Sequence, residues 1–230
     1  MKTAAFFKTV LMLASVLFLL SCEKESISEL KVTKEDALGR VGDKVERPLT
    51  GTLYTSSTFY PDIEGGWDPE NPTNVPAFYP GMGEGNVSHF GKIFTMFNQH
   101  AYGYSDPPTD PTTALGKSIP ITEHLSLDTL KSYGFTEEDL SEIEAAGVGA
   151  IITDKHGNSI WAEGTSQYIS LPDNPQRDLV IWEYEITGGT GKFEDAEGHF
   201  TLKGYTDVIM HADGTVTTKD ELTIDGVIIY

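Results

Sequence analysis

The side chains with most chemistry to offer in this sequence are one cysteine, six histidines and several closely spaced acids. Cys22 is the sole thiol, which rules out an internal disulfide and a CxxC zinc site. The histidines (His89, His100, His124, His156, His199 and His211) form neither an HExxH helix nor an HxH pair. His89 follows Ser88, but no spacing marks a Ser/His/Asp triad, and a polar residue satisfied at a rim explains it more simply. Asp62, Glu64, Asp68, Glu70 and Asn71 carry hard oxygens fit for calcium. They lack the regular D-x-[DN]-x-[DN]-G order, and a solvated loop is the better reading. Asp154 to Asn158 (DKHGN) reads as a β-turn rather than a metal loop. Glu183 and Glu185 share one face of a strand, about 7 Å apart by strand rise. Enclosed, they would suit acid/base work; on an outer wall they are a wet face, the preferred reading. Trp161, Trp182 and Tyr184 could line a pocket or fill a core, and core filling is the default. The residues therefore point to no catalytic group, no metal set and no cofactor. Trp182, Tyr184 and His89 remain as candidates for contact with a ligand.

Cys22 gains meaning from what precedes it. Lys2 and Lys8 are followed by an uncharged run from Val10 to Leu20, too short for a helix that spans a bilayer, which needs about 20 residues. The run fits the apolar region of a signal peptide. It ends Leu19-Leu20-Ser21-Cys22, which resembles the lipobox of bacterial lipoproteins. That resemblance implies cleavage before Cys22, a diacylglyceryl thioether on its thiol and acylation of the new N-terminus. Several chains hold firmly where one is marginal, because each buried methylene adds about 0.8 kcal/mol. An ordinary signal peptide that happens to carry a cysteine is the alternative. The opening Cys22-Glu23-Lys24-Glu25-Ser26 resembles in part the acidic export signals of surface lipoproteins, although linkers are often acidic too. The expected location is the cell envelope, at the outer membrane, with surface exposure an open possibility.

The chain has 16 Lys and Arg against 35 Asp and Glu, a net charge of −19. Loss of Lys2 and Lys8 with the leader would leave two fewer positive charges. Such a surface repels phosphate backbones, so nucleic acid is excluded as a partner. The organisation expected is residues 1–21 as signal peptide, 22–47 as lipidated N-terminus and tether, and 48–230 as one domain.

From Pro48 the pattern is that of strands. Leu53 to Tyr60 is rich in β-branched and aromatic residues, and Asn86 to Phe97 alternates in part. Gly149 to Thr153 and Ser159 to Ile169 flank the DKHGN turn. Leu179 to Ile186 puts Val180, Trp182, Tyr184 and Ile186 on one face, the alternation of a strand buried on one side. His199 to Met210 and Thr215 to Tyr230 supply two or three more strands, the last of which would close a barrel well. Tyr60 to Gly85 reads as a long surface loop. Asp106 to Gly147 reads as an insertion, helical near 118–147. There Ser126 begins a turn with Leu127, Leu130 and Tyr133, ended by Gly134. Thr136 caps a second helix carrying Leu140 and Ile143, stopped by Gly147. This hairpin is expected over or beside one end of the sheet, as a lid or a plug.

Ile186 to Phe200 (ITGGTGKFEDAEGHF) resembles the G-T-G-x-F-x-x-A-x-G signature of allene oxide cyclase-like and dirigent-like β-barrels. Gly85 to Lys92 resembles a G-x-x-x-H-x-G-K stretch of exported bacterial relatives. The resemblance covers about Pro48 to Phe97 and Gly147 to Tyr230, and leaves out the helical insertion. It implies a mainly β fold, an antiparallel barrel, with Phe193 plugging inward and Ala196 and Gly198 allowing close backbone approach. Its members include a plant cyclase and proteins that orient radical coupling, but the signature is scaffold and does not carry their pocket residues. The leading expectation is thus a barrel that binds a small, partly apolar ligand. A cyclase or isomerase, or a non-catalytic interaction module with a filled interior, are the alternatives.

Overall fold

The computed structural model describes residues 44–66, 76–104 and 113–230. Cys22, the leader and most of the tether lie outside them, as do Asp68, Glu70 and Asn71. The strands, in chain order, are β1 (Glu46–Ser57), β2 (Tyr60–Pro61), β3 (Ala77–Phe78), β4 (Gly81–Val87), β5 (Gly91–Phe97), β6 (Gln99–Tyr104), β7 (Thr113–Ser118), β8 (Ala150–Thr153), β9 (Ser159–Leu171), β10 (Asn174–Thr190), β11 (Glu197–Met210) and β12 (Val216–Ile229). All pairings between them are antiparallel. The order β10-β11-β12-β1-β4-β5-β8-β9 returns to β10 through the β9–β10 ladder, so the sheet closes into an eight-stranded barrel. Mainly β structure with a small helical hairpin is what the sequence pattern predicts.

One position of the wall is shared by two segments. β9 bonds β8 over Ser159 to Ala162, then β7 over Thr165 to Ile169. Across the gap Asn98 ties the cut ends together: its N–H donates to Gly149 O at 2.9 Å and its carbonyl accepts from Ile119 N at 3.2 Å. Its Nδ2 also donates to Pro120 O at 3.0 Å. Between these ends the chain leaves the wall and forms α1 (Asp128–Lys131) and α2 (Glu137–Ala146).

The helices start and stop as their residues dictate. Thr136 and Asp139 form a reciprocal capping box, and Gly147 ends α2 in the left-handed conformation at φ 64°. Ser126 Oγ accepts from Asp128 N–H at 3.2 Å, and α1 is a single turn. The hairpin does not lie across an open end. Leu130, Phe135, Leu140 and Ile143 pack on Phe94 and Met96 of β5 and Ile151 of β8, whose side chains alternate away from the barrel interior. The hairpin is therefore an outer cladding of the wall, because the chain leaves and re-enters at mid-strand rather than at a rim.

Other boundaries differ from the sequence reading for local reasons. Asn86 to Phe97 is two strands around a turn at Ser88 to Phe90, where His89 adopts φ 68° and Gly91 φ 75°. Both ends of the Tyr60–Gly85 stretch are strand, since β2, β3 and most of β4 fall there. β7 belongs to the wall, not to the insertion. Thr215 to Tyr230 forms one strand, β12, and Lys44, the first described residue, pairs through its ammonium with Glu197 at 2.5 Å.

Candidate functional site

The barrel interior divides into two chemically different halves. At one end lie the β4–β5, β8–β9 and β10–β11 turns, the start of β1 and the end of β12. Here Phe193 is fully buried, stacked on Phe90 at 4.3 Å and edge-on to Tyr230 at 4.7 Å. The glycine-rich segment makes this plug possible. Gly191 turns at φ 62°, and a Cβ on Gly198, at φ 133°, would lie 2.2 Å from Val227 O. Leu49, Val87, Ile186, Ile228 and Ala196 fill the space behind it. Farther in, the void bounded by Leu53, Thr55, Thr95, Trp182 and Tyr184 measures about 10 Å³, room for no more than a single water.

Toward the other end the inward positions turn polar. One cross-strand row runs Ser170, Asp178, Thr206, Asp220, Thr55. Asp220 is 6 % exposed, and its two carboxyl oxygens accept from Thr55 and Thr206 hydroxyls at 2.5 Å each. Burial raises its proton affinity, against hydrogen bonds from Thr206, Thr55 and Thr218 that favour the charged form. Burial likewise raises Asp178, with Ser170 opposing. Beside this row Tyr168 donates to Gln99 Oε1 at 2.7 Å, and Gln99 Nε2 donates to Tyr184 OH at 2.7 Å. Burial pushes the Tyr184 phenol up to about 12 and Tyr168 well above its ordinary value. Tyr79 stacks on Tyr168 at 5.8 Å, and Thr218 and Ser57 hydroxyls meet at 2.8 Å. The Trp182 indole N–H, in a residue 2 % exposed, has no partner among the described residues.

The candidates named from sequence are thus dispersed. Trp182 and Tyr184 face the interior, at the border of its apolar and polar halves. His89 sits in the turn at the plugged end, its Nε2 2.9 Å from Pro48 O, and is not brought to either of them. Glu183, Glu185 and His199 line a shallow groove on the outer wall with Glu163, Thr165 and Thr201. That groove is open to water, the wet face expected. Asp154 holds its turn: it accepts from His156 N–H at 2.8 Å, Asn158 N–H at 3.2 Å and Asn158 Nδ2 at 2.8 Å. Asp62 pairs with His100 at 2.9 Å and accepts from Gly65 N–H at 2.8 Å. Among the described residues no group of three or more His, Cys, Asp or Glu is placed to hold a metal.

Sequence reasoning missed Asp178, Asp220, Thr206, Gln99 and Tyr168. The signal was parity: Thr218, Asp220, Leu222 and Ile224 alternate on one strand, so an acid stands on the apolar face.

No family model matches the chain, and no curated protein does. Among solved structures it is similar to the pterocarpan synthase dirigent protein, at 12% identity and a TM-score of 0.17, over 89% of this chain and 98% of that one. The barrel rests on its own hydrogen-bond register and not on that likeness. Among the described residues no helix is long and apolar enough to cross a membrane.

Proposed function

We propose that this is an envelope lipoprotein, anchored through lipid on Cys22, whose dirigent-like or allene oxide cyclase-like barrel binds a small, partly apolar ligand without catalysis. The observation that carries the binding reading is the asymmetry of the interior. One half is filled with apolar side chains and plugged by Phe193. The other places Asp178, Asp220, Thr206, Tyr168 and Gln99 on inward positions, where burying polar groups costs free energy that a mere scaffold would avoid. The ligand is accordingly assigned to the polar end; the deep void is too small for it. The cyclase or isomerase alternative draws on the same two acids, whose raised proton affinity suits proton transfer.

Native mass spectrometry of protein purified from its own envelope tests the binding reading. A copurified small molecule should appear, be lost in Asp178→Asn and Thr206→Val, and persist in Phe193→Leu at the opposite end. Absence of any adduct, with no ligand-induced shift in melting temperature, would remove the proposal. The anchor has its own test. Palmitate should label the wild type and not Cys22→Ala, and the variant should move to the soluble fraction.

A further inference from the structure

We infer that the polar end of the barrel is a site for an organic cation, an amine whose ammonium group meets Asp178 and Asp220 while its apolar body lies against Tyr79 and Tyr168. The inference rests on the binding reading and deepens it by naming the ligand's charge. It starts from what is left uncompensated among the inward groups. Asp220 is buried and Asp178 half-buried, and neither forms an ion pair among the described residues. Arg177, next to Asp178 on β10, is taken by Asp207 at 2.9 Å. The described residues contain ten Lys and Arg, and none faces this half of the interior. Lys117, Arg177, Lys203 and Lys219 alternate with Gly116, Asp178, Leu202 and Asp220, which turn inward, and so point out. The other six lie at the plugged end or on the helical hairpin. His100 is turned to Asp62, and His211 to Thr217.

Hydrogen bonding at this end, by contrast, is mostly satisfied from within. The carboxyl oxygens of Asp220 accept from Thr55 and Thr206, and Tyr168, Gln99 and Tyr184 bond in series. Trp182 Nε1 and Ser166 Oγ, on paired residues of β10 and β9, lack partners among the described residues, but both residues are sealed, at 2 % and 1 % exposure. What the polar end lacks is therefore positive charge. Two carboxyls held in a low-dielectric interior without a counter-charge keep their protons more tightly, and a ligand cation supplies the missing partner. An anionic ligand would meet two acids and no base, and a neutral one would compensate no charge. The rings complete the chemistry. Tyr79 stacks on Tyr168 at 5.8 Å, Trp182 stands edge-on to Tyr168 at 6.3 Å, and Phe59 edge-on to Tyr79 at 5.6 Å. The charge of Asp220 reaches the Tyr168 phenol, so acid and ring share one space. Carboxylates beside aromatic rings hold an ammonium group in preference to an alcohol of the same shape. The tips of the β9–β10 and β11–β12 hairpins carry Asp173 and Asp213, acids that draw a cation toward the same end.

Three probes of one shape separate the charge states: 2-phenylethylammonium, 2-phenylethanol and phenylacetate, each titrated into the full mature chain by calorimetry at neutral pH. The ammonium should bind about tenfold tighter than the alcohol, with phenylacetate weakest of the three. Asp178→Asn should cost the ammonium about tenfold and leave the alcohol within about twofold, and Asp220→Asn should act in the same sense. Asp213→Asn, on the exposed hairpin tip, should change neither. The molecule that copurifies with the protein should fragment as an amine. Three results would each overturn the inference and leave the binding reading standing: an alcohol or phenylacetate bound as tightly as the ammonium, equal losses of ammonium and alcohol in Asp178→Asn, or the same ammonium loss in Asp213→Asn. A copurified molecule that is neutral or acidic does so too. If none of the three probes binds, the cation inference falls, and the binding reading then rests on the copurified molecule alone.

Discussion

Two aspartates show how one residue type takes opposite roles within the same barrel. Asp220 is raised by burial, so the native chain keeps a proton that the unfolded chain releases near 3.8. Its contribution is therefore fully present below that value and is lost as pH climbs through the raised, folded-state value. Asp154 is the reverse. Burial pushes it up, but the hydrogen bonds from Asn158 and His156 and the charge of Lys192 outweigh this and lower it. Its contribution is present above 3.8 and lost as pH falls through the depressed value. Urea midpoints measured from pH 3 to 8 should therefore respond in opposite senses. Asp220→Asn should flatten the decline above about pH 4. Asp154→Ala should weaken the fold at neutral pH by about 1–3 kcal/mol, since the N–H groups of His156 and Asn158 lose their acceptor. The same pH slope in Asp220→Asn and wild type would refute the first assignment. DKHGN was readable as a turn because Asp, Gly and Asn sit where turn chemistry needs them. Asp220 could be found only by carrying strand parity through to the last strand, because an isolated acid otherwise looks like surface.

The helical hairpin is the element whose identity is plain in the sequence and whose place is not. Thr136, Asp139 and Gly147 specify the limits of α2 by local hydrogen bonding, and the structure follows them. Where the hairpin docks depends on strand pairing remote in sequence: β7 and β8 divide one partner, β9, and so eject the chain at mid-wall. Nothing in Asp106 to Gly147 announces that Thr113 to Ser118 is wall. The outward parity of Phe94 and Met96 is equally mute, since Asn86 to Phe97 alternates only in part until the turn at Ser88 to Phe90 divides it. The outer-wall placement makes a definite claim about energetics. Ile143 is fully buried among Phe94, Met96 and Ile151 neighbours, so Ile143→Ala should cost about 2–5 kcal/mol. Thr136→Ala should cost about 1 kcal/mol through loss of the cap. Neither should alter occupancy of the polar end, because the hairpin does not cover it. Chemical denaturation with the native mass measurement in parallel checks both halves; a bound ligand released by Ile143→Ala would restore the lid.

At the scale of the whole molecule, closure is the property on which everything else depends. The alternation of Val180, Trp182, Tyr184 and Ile186 showed that β10 had a buried face, but a single amphipathic strand is as compatible with a sandwich as with a barrel. What decides is the β9–β10 ladder, whose thirteen pairs from Asn174–Leu171 to Thr190–Ser159 join the two ends of the strand order. Two strands from that seam stands β12, bonded over its length to β11 on one side and from Asp220 to Ile229 to β1 on the other. Its inward side chains belong to both halves of the interior: Leu222, Ile224 and Ile228 to the apolar one, Thr218 and Asp220 to the polar one. Removing residues 222–230 should therefore do more than shorten a strand. It would strip the partner from the first half of β1 and of β11 together, leave two long unpaired edges, and uncover the plug by deleting Tyr230. The expected result is a chain without a cooperative thermal transition, which elutes as aggregate in gel filtration. Removing the hairpin tip at Ala212 to Gly214 in favour of a two-residue turn touches neither half and should leave a monodisperse protein with its melting temperature within a few degrees. A truncated chain that still melted cooperatively would mean that the barrel can close without β12, and the two halves of its interior would not depend on one another.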